Sequence, residues 1–278
     1  MMRFWQIRKP DYTSDYQDSY INGAIEHLLE FPKIDCDVCF RAWGWTGTRS
    51  VTFECPESLR EEIARLSKKS LSRTDHLTLK TRLLSAVGLE SLPFIDIGPQ
   101  YSFPPGFLDV PSRPKADFLW PWPTILVSQR VRDSLADVCG DNVAACRVTM
   151  RKIGKRSAKL PAPIPLSGEP EDIIYEGPLL GSTSEVGPYY EIVPRYASSD
   201  PPERIIESSC SACGWVKTKA DFSVRRGPLR LAPGSRNGRS IFYLGSTLHV
   251  IVTDDVRKAL QMLRPSNLQL EEVWCPPA

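Results

Sequence analysis

Histidine is scarce in this chain of 278 residues, with His27, His76 and His249 the only three. None falls in an H-E-x-x-H or H-x-E pattern, so no histidine-built catalytic zinc site can be nominated. No apolar run approaches the roughly 18 residues of a membrane-spanning helix. The opening Met1-Met2-Arg3-Phe4-Trp5-Gln6-Ile7-Arg8-Lys9-Pro10 lacks the apolar stretch of about 7–15 residues that marks a secretory signal. The expected location is therefore the reducing cytoplasm, where thiols persist or bind metal and disulfides do not form. There is no glycine-rich phosphate loop. The formal charge of +2 and isoelectric point near 8.1 are too mild to imply a nucleic-acid partner by themselves.

Sulfur, by contrast, is plentiful. Of eight cysteines, four stand in two C-x-x-C pairs, Cys36-Asp37-Val38-Cys39 and Cys210-Ser211-Ala212-Cys213. Two intervening residues let each turn present both sulfurs to one ion, with turn N–H groups spreading the thiolate charge. Together the pairs supply the four ligands of a closed tetrahedral zinc site. A thioredoxin-like dithiol would instead open a helix after a strand. The residues before each pair, Phe31-Pro32-Lys33-Ile34-Asp35 and Glu207-Ser208-Ser209, read as knuckle loops rather than as that pattern. Cys55, Cys139, Cys146 and Cys275 have no ligand spacing. One structural zinc on Cys36, Cys39, Cys210 and Cys213 would tie the N- and C-terminal halves into a single unit over residues 1–278.

An internal echo organises the second half. Ile125 to Leu135 reads against Val250 to Leu260 at a constant offset of 125 residues, Ser128 against Thr253. Each copy begins as a short apolar strand. Ser128 or Thr253 is then placed to cap a helix whose Val131/Leu135 or Val256/Leu260 face the core. Upstream, Phe118-Leu119 matches Tyr243-Leu244; downstream, Cys146 to Met150 matches Glu271 to Cys275. The pseudo-repeat units span about 117–150 and 241–275. A strand is expected at Val51 to Cys55, and helices at Glu57 to Lys69 (with Leu59, Ile63 and Leu66 on one face) and at Asp75 to Ala86. The resulting fold class is α+β, a mixed sheet with flanking helices, a repeated strand–helix–strand unit and a zinc-knuckle module.

Proline, at 25 residues, breaks every period between Pro93 and Pro114 and from Leu160 to Pro202, so both stretches are expected to be partner-contacting loops. Trp43, Trp45, Trp120, Trp122 and Trp215 read as packing around a small metal module, each burying ~150–250 Å².

The residues resemble one family. Cys36-x-x-Cys39 with Trp43-Gly44, Asp117-Phe118-Leu119-Trp120, Gly177-Pro178-Leu179, Cys210-x-x-Cys213-Gly214 and the closing strand–helix from Leu248 to Leu263 are similar to the double-CXXCG motif proteins, found chiefly in myxobacteria. The resemblance implies an immunity protein of a contact-dependent polymorphic toxin system: a cytoplasmic antidote that binds one cognate toxin protein and is not an enzyme. The chain departs from the pattern at Phe40, where the first motif carries glycine. A phenylalanine resists the left-handed turn that glycine takes readily, so a distorted knuckle or a weaker metal is expected there.

Two rival classes exist. A zinc-ribbon nucleic-acid binder could use Arg151, Lys152, Lys155, Arg156 and Lys159, with Lys217, Lys219, Arg225, Arg226, Arg230, Arg236 and Arg239 after the second pair. A metalloenzyme would need an open coordination position and a nearby base, and no residue is nominated for either.

Overall fold

The computed structural model describes residues 3–10, 25–40, 42–43, 50–88, 100–110, 113–121, 124–152, 184–198, 205–213, 216–219, 229, 231, 238–244 and 249–275. The architecture is α+β, with two sheets, two small hairpins and four helices among these residues.

The larger sheet is mixed. Its order is β2 (Glu26–Glu30), β6 (Gln100–Val110), β9 (Val143–Lys152), β10 (Ser184–Pro194), β8 (Leu126–Ser128) and β7 (Phe118–Leu119), with β5 (Ser50–Thr52) also on β6. β5 and β9 run parallel to β6 and the other pairs are antiparallel. The smaller sheet is antiparallel throughout, in the order β13 (Ile241–Tyr243), β14 (Val250–Thr253), β1 (Phe4–Arg8) and β15 (Gln269–Val273). The helices are α1 (Glu57–Leu66), α2 (Arg73–Val87), α3 (Gln129–Cys139) and α4 (Asp254–Leu263). A main core joins α1 and α2 to both sheets and to α3 and α4, with Leu59, Leu83, Phe103, Val131, Val252 and Leu260 among its members.

The two prolines-and-glycine stretches are not wholly loop, since β6 and β10 lie within them. Pro104 and Pro105 fall where β2 and β6 change register, between His27 and Leu29. Pro188 likewise falls at the register change between β9 and β10. A residue without an N–H is accommodated at such irregularities, while Tyr101, Phe103, Leu108 and Val110 carry β6 into the core.

α1 buries Leu59 and Ile63 as its spacing requires and stops at Ser67, short of Lys69, with the Ser67 N–H on the Ile63 carbonyl. α2 starts earlier than its apolar pattern suggests, because the Ser72 hydroxyl accepts from the Asp75 N–H at 3.1 Å, and it closes on Gly88 at φ 67°. His76, on α2, is buried against Phe31 with ring centroids 5.1 Å apart.

Within the two sheets, β7–β8–β10–β9 and β13–β14–β1–β15 follow the same order and directions. Tyr190 sits between Val127 and Arg147 on its neighbours, and Trp5 between Val252 and Glu272. The guanidinium of Arg132 lies 4.4 Å from the Tyr190 ring centroid, and that of Arg257 lies 4.7 Å from Trp5. The upstream strands depart from the 125-residue offset: Phe118 pairs with Val127, whereas Val252 faces Ile241 and not Tyr243.

Ser128 and Thr253 occupy the residue before each helix, but neither side chain caps it. The Ser128 hydroxyl instead donates to Asp117 Oδ1 at 2.8 Å, a charged acceptor that outcompetes a backbone role. Asp117 is a hub. Its carboxylate also receives both nitrogens of an Arg130 fork, the Ser266 N–H at 2.9 Å and the Ser266 hydroxyl at 3.1 Å. Burial disfavours its charge, yet these donors outweigh it and hold the carboxyl well below the usual carboxylate range. Asn267, next in the chain, donates to the Phe118 carbonyl at 2.7 Å and accepts from Trp120 Nε1 at 3.1 Å. Trp120 packs on the main core, not around the cysteine cluster; Trp45, Trp122 and Trp215 lie outside the described residues.

Candidate metal centre

Each C-x-x-C pair turns a two-stranded antiparallel hairpin. β3 (Ile34–Asp35) and β4 (Ala42–Trp43) flank the first, with Ile34 opposite Trp43. β11 (Ile205–Ser209) and β12 (Val216–Lys219) flank the second, with Ser209 opposite Val216. The two tips meet. Cys36 Sγ lies 3.8 Å from Cys210 Sγ and Cys39 Sγ lies 3.7 Å from Cys213 Sγ, and all four sulfurs lie within 4.8 Å of one another. Four sulfurs bound at about 2.3 Å in a tetrahedron would sit about 3.8 Å apart. The donor set therefore fits a tetrahedral, thiolate-binding metal ion, and the four residues brought together are those chosen by spacing.

The surroundings favour a thiolate at Cys36. The N–H groups of Cys39 and Val38 hold the Cys36 thiol down to about 7 from its ordinary value, against the opposing effect of burial. Cys36, Cys210 and Cys213 are buried, Cys39 is partly so, and Ile34 packs beneath them. Chain far from either motif fixes both hairpins. The Ser70 hydroxyl accepts from the Asp35 N–H at 2.7 Å, the Leu71 N–H donates to the Lys33 carbonyl at 2.9 Å, and Arg73 Nη1 donates to the Ser211 carbonyl at 3.1 Å. These anchors carry no sequence signal, because a serine and an arginine at a helix start have many ordinary uses.

The remaining cysteines stay apart from this cluster. Burial pushes the Cys139 and Cys146 thiols up to about 11 and about 12, and raises Cys55 as well. All are unpaired.

Phe40 takes the left-handed turn despite its side chain. Its φ is 53°, its N–H donates to the Cys36 carbonyl at 2.8 Å, and its ring is 89% exposed. Across this turn Cys36 and Cys39 both reach the four-sulfur set. Since φ > 0 costs a β-carbon-bearing residue about 1–2 kcal/mol, Phe40→Gly is expected to keep the fold and hold metal at least as tightly. Competition with a chelator reads this out. A faster loss of metal from the glycine variant would mean that the exposed ring itself braces the turn.

Of the basic residues, Arg151 is engaged within the fold: it forks between Asp109 at 2.6 Å and Glu26 at 2.8 Å. Arg239 stacks on Tyr196 at 3.5 Å. Neither is a spare cation for phosphate or for a partner. Lys152 is exposed; Lys155, Arg156, Lys159, Arg225, Arg226, Arg230 and Arg236 lie outside the described residues, as do Gly214 and Gly177-Pro178-Leu179. No described helix is long and apolar enough to cross a membrane. No protein-family model matches the chain, and no curated protein matches it.

Proposed function

We propose that this protein is an immunity protein of the double-CXXCG type, a cytoplasmic antidote that binds one cognate toxin, with a zinc ion as staple between its two cysteine hairpins. The observation that carries this reading is the convergence of Cys36, Cys39, Cys210 and Cys213 into one set of four sulfurs. Such a set fills a tetrahedral ion completely and leaves no position for water or substrate. When bound, the ion supplies cross-linking; the chain's own residues shield it and fix the two hairpin tips. The Asp117-Phe118-Leu119-Trp120 segment of the same resemblance gives the hub carboxylate, a buried ring and the Trp120 bond to Asn267, which suits a rigid scaffold for a binding surface. We read β7–β8–α3–β9 and β13–β14–α4–β15 as two versions of one unit, each completed by a strand from elsewhere.

The test is titration of the toxin-like product of a neighbouring gene with this protein. Full inhibition at one equivalent is the expected result. Undiminished toxin activity in excess protein, together with salt-resistant retention on random RNA or DNA, would favour the zinc-ribbon alternative; the engagement of Arg151 and Arg239 inside the fold argues against that outcome.

A further inference from the structure

Glu191, at the middle of β10, is 2% exposed, and its Oε2 has no hydrogen-bond partner. Three strands away, on β2 at the edge of the sheet among the described residues, the His27 side chain is also buried, and its Nε2 lies 4.0 Å from that oxygen. The His27 ring is accommodated because Gly106, its paired residue on β6, has no side chain. Gly106 of β6 lies under the ring, where a β-carbon would meet His27 Cε1 at 3.1 Å and Ile25 Cγ2 at 2.9 Å. Cys146 of β9 is the residue paired with Glu191. His27 Nδ1 lies 3.3 Å from the Phe103 carbonyl, an acceptor only, so Nδ1 carries a hydrogen and Nε2 presents a lone pair to Glu191.

The neighbours supply no counter-charge. Thr52 of β5 is the one group that favours the Glu191 anion, Cys146 of β9 and Tyr243 of β13 are acids that its charge makes still weaker, and no described lysine or arginine pairs with it. Glu54 and Arg195 act on Cys146 with opposite signs. Burial pushes the Glu191 carboxyl up to about 7 and lowers the His27 imidazole from its ordinary value. Both groups are thus neutral inside the sheet.

We propose that Glu191 and His27 share one proton, carboxylic acid to imidazole Nε2, and that this neutral pair latches edge strand β2 onto the sheet. A shift of about 1 Å in either side chain brings O and N to hydrogen-bond distance. When β2 opens into water, Glu191 gives up its proton below pH 7 and His27 takes one up below about pH 6.5. The two transfers cancel, so opening of β2 is nearly independent of pH between about 5 and 6.5. The latch thereby keeps the strand leading to the first cysteine hairpin equally secure across that range.

Removing either partner uncovers the other's titration, with opposite sign. In His27→Gln, Glu191 alone remains, with a folded pKa raised above the unfolded one; its stabilisation is present at low pH and lost as pH rises toward 7, so opening grows by up to about 10-fold per pH unit. In Glu191→Gln, His27 alone remains, with a folded pKa depressed; opening grows, with the same limiting steepness, as pH falls below 6.5. Hydrogen exchange of the Leu28 and Leu29 amides, corrected for intrinsic rates, measures both slopes in the full-length protein. The expected pattern is a flat profile for the parent and opposed slopes for the two variants. Profiles that stay parallel in all three proteins overturn the proposal. Imidazole ¹⁵N shifts in the parent give a second reading that needs no variant: a neutral ring with hydrogen on Nδ1 at pH 6 is expected, and a ring titrating near 6.5 like a free histidine refutes the latch.

Discussion

Cys210→Ser/Cys213→Ser should yield protein without bound metal and with both cysteine hairpins melted at room temperature. A structural zinc in a small module contributes an apparent ~10–16 kcal/mol at neutral pH, and these two residues are half of the four-sulfur set that could hold a metal ion. Apart from the Ser70, Leu71 and Arg73 hydrogen bonds, neither hairpin has much of its own to stand on, since β3 and β4 pair over two residues and β11 and β12 over four, and isolated two-stranded ribbons are marginal in water. The main core is a separate cluster, so the loss should begin locally. Amides of residues 34–43 and 205–219 lose exchange protection first, and the thermal transition moves down and broadens. Elemental analysis supplies the decisive number: metal content unchanged in the double variant would remove these residues from the site.

Asp117→Ala is expected to cost about 3 kcal/mol of unfolding free energy, read as a lower denaturant midpoint at unchanged slope. The substitution strands the Ser128 hydroxyl and the Ser266 N–H and hydroxyl, which converge on the carboxylate from two distant parts of the chain. Arg130 is half exposed, so its freed charge returns to water and adds little; a fully buried partner would cost more. The sign of the pH dependence follows from the depressed folded pKa. The contribution of Asp117 is complete above the ordinary carboxylate range near pH 4 and disappears as pH falls below it. Asp117→Asn should therefore flatten the acid limb of the stability curve. A loss under about 0.5 kcal/mol for the alanine variant would show that the hub is redundant.

Patterns set by near neighbours along the chain were legible, and those set by distant strands were not. The C-x-x-C spacing is a local geometric statement and named all four sulfurs that meet. Val131, Leu135, Val256 and Leu260 were legible because one helical face repeats every three to four residues and all four are buried. β6 was hidden because Pro104 and Pro105 interrupt its alternation, and only the register change opposite β2 makes them tolerable. The capping assignment for Ser128 failed for a related reason: its competitor, Asp117, lies in the bend before β7, beyond the reach of a local pattern. Arg151 looked like a free cation while Asp109 and Glu26, which engage it, were far away in sequence. Glu191 and His27 gave no signal at all, since a glutamate in a strand and a lone histidine acquire meaning only when Gly106 brings them together.

The position of β1 has a consequence for how the polypeptide is made. Phe4 is made roughly 250 residues before its two neighbours in the sheet, Thr253 and Val273. At ~5–20 residues per second, the strand waits on the order of tens of seconds with its apolar side chains and backbone edges unmatched. During that interval Trp5 and Ile7 are available to chaperones, and to a second nascent chain whose own β14 has already appeared. The appearance of β14 and β15, rather than synthesis of any intermediate segment, becomes the event that lets the smaller sheet close. A message cut short before Val250 would give a chain in which β1 has neither of these neighbours.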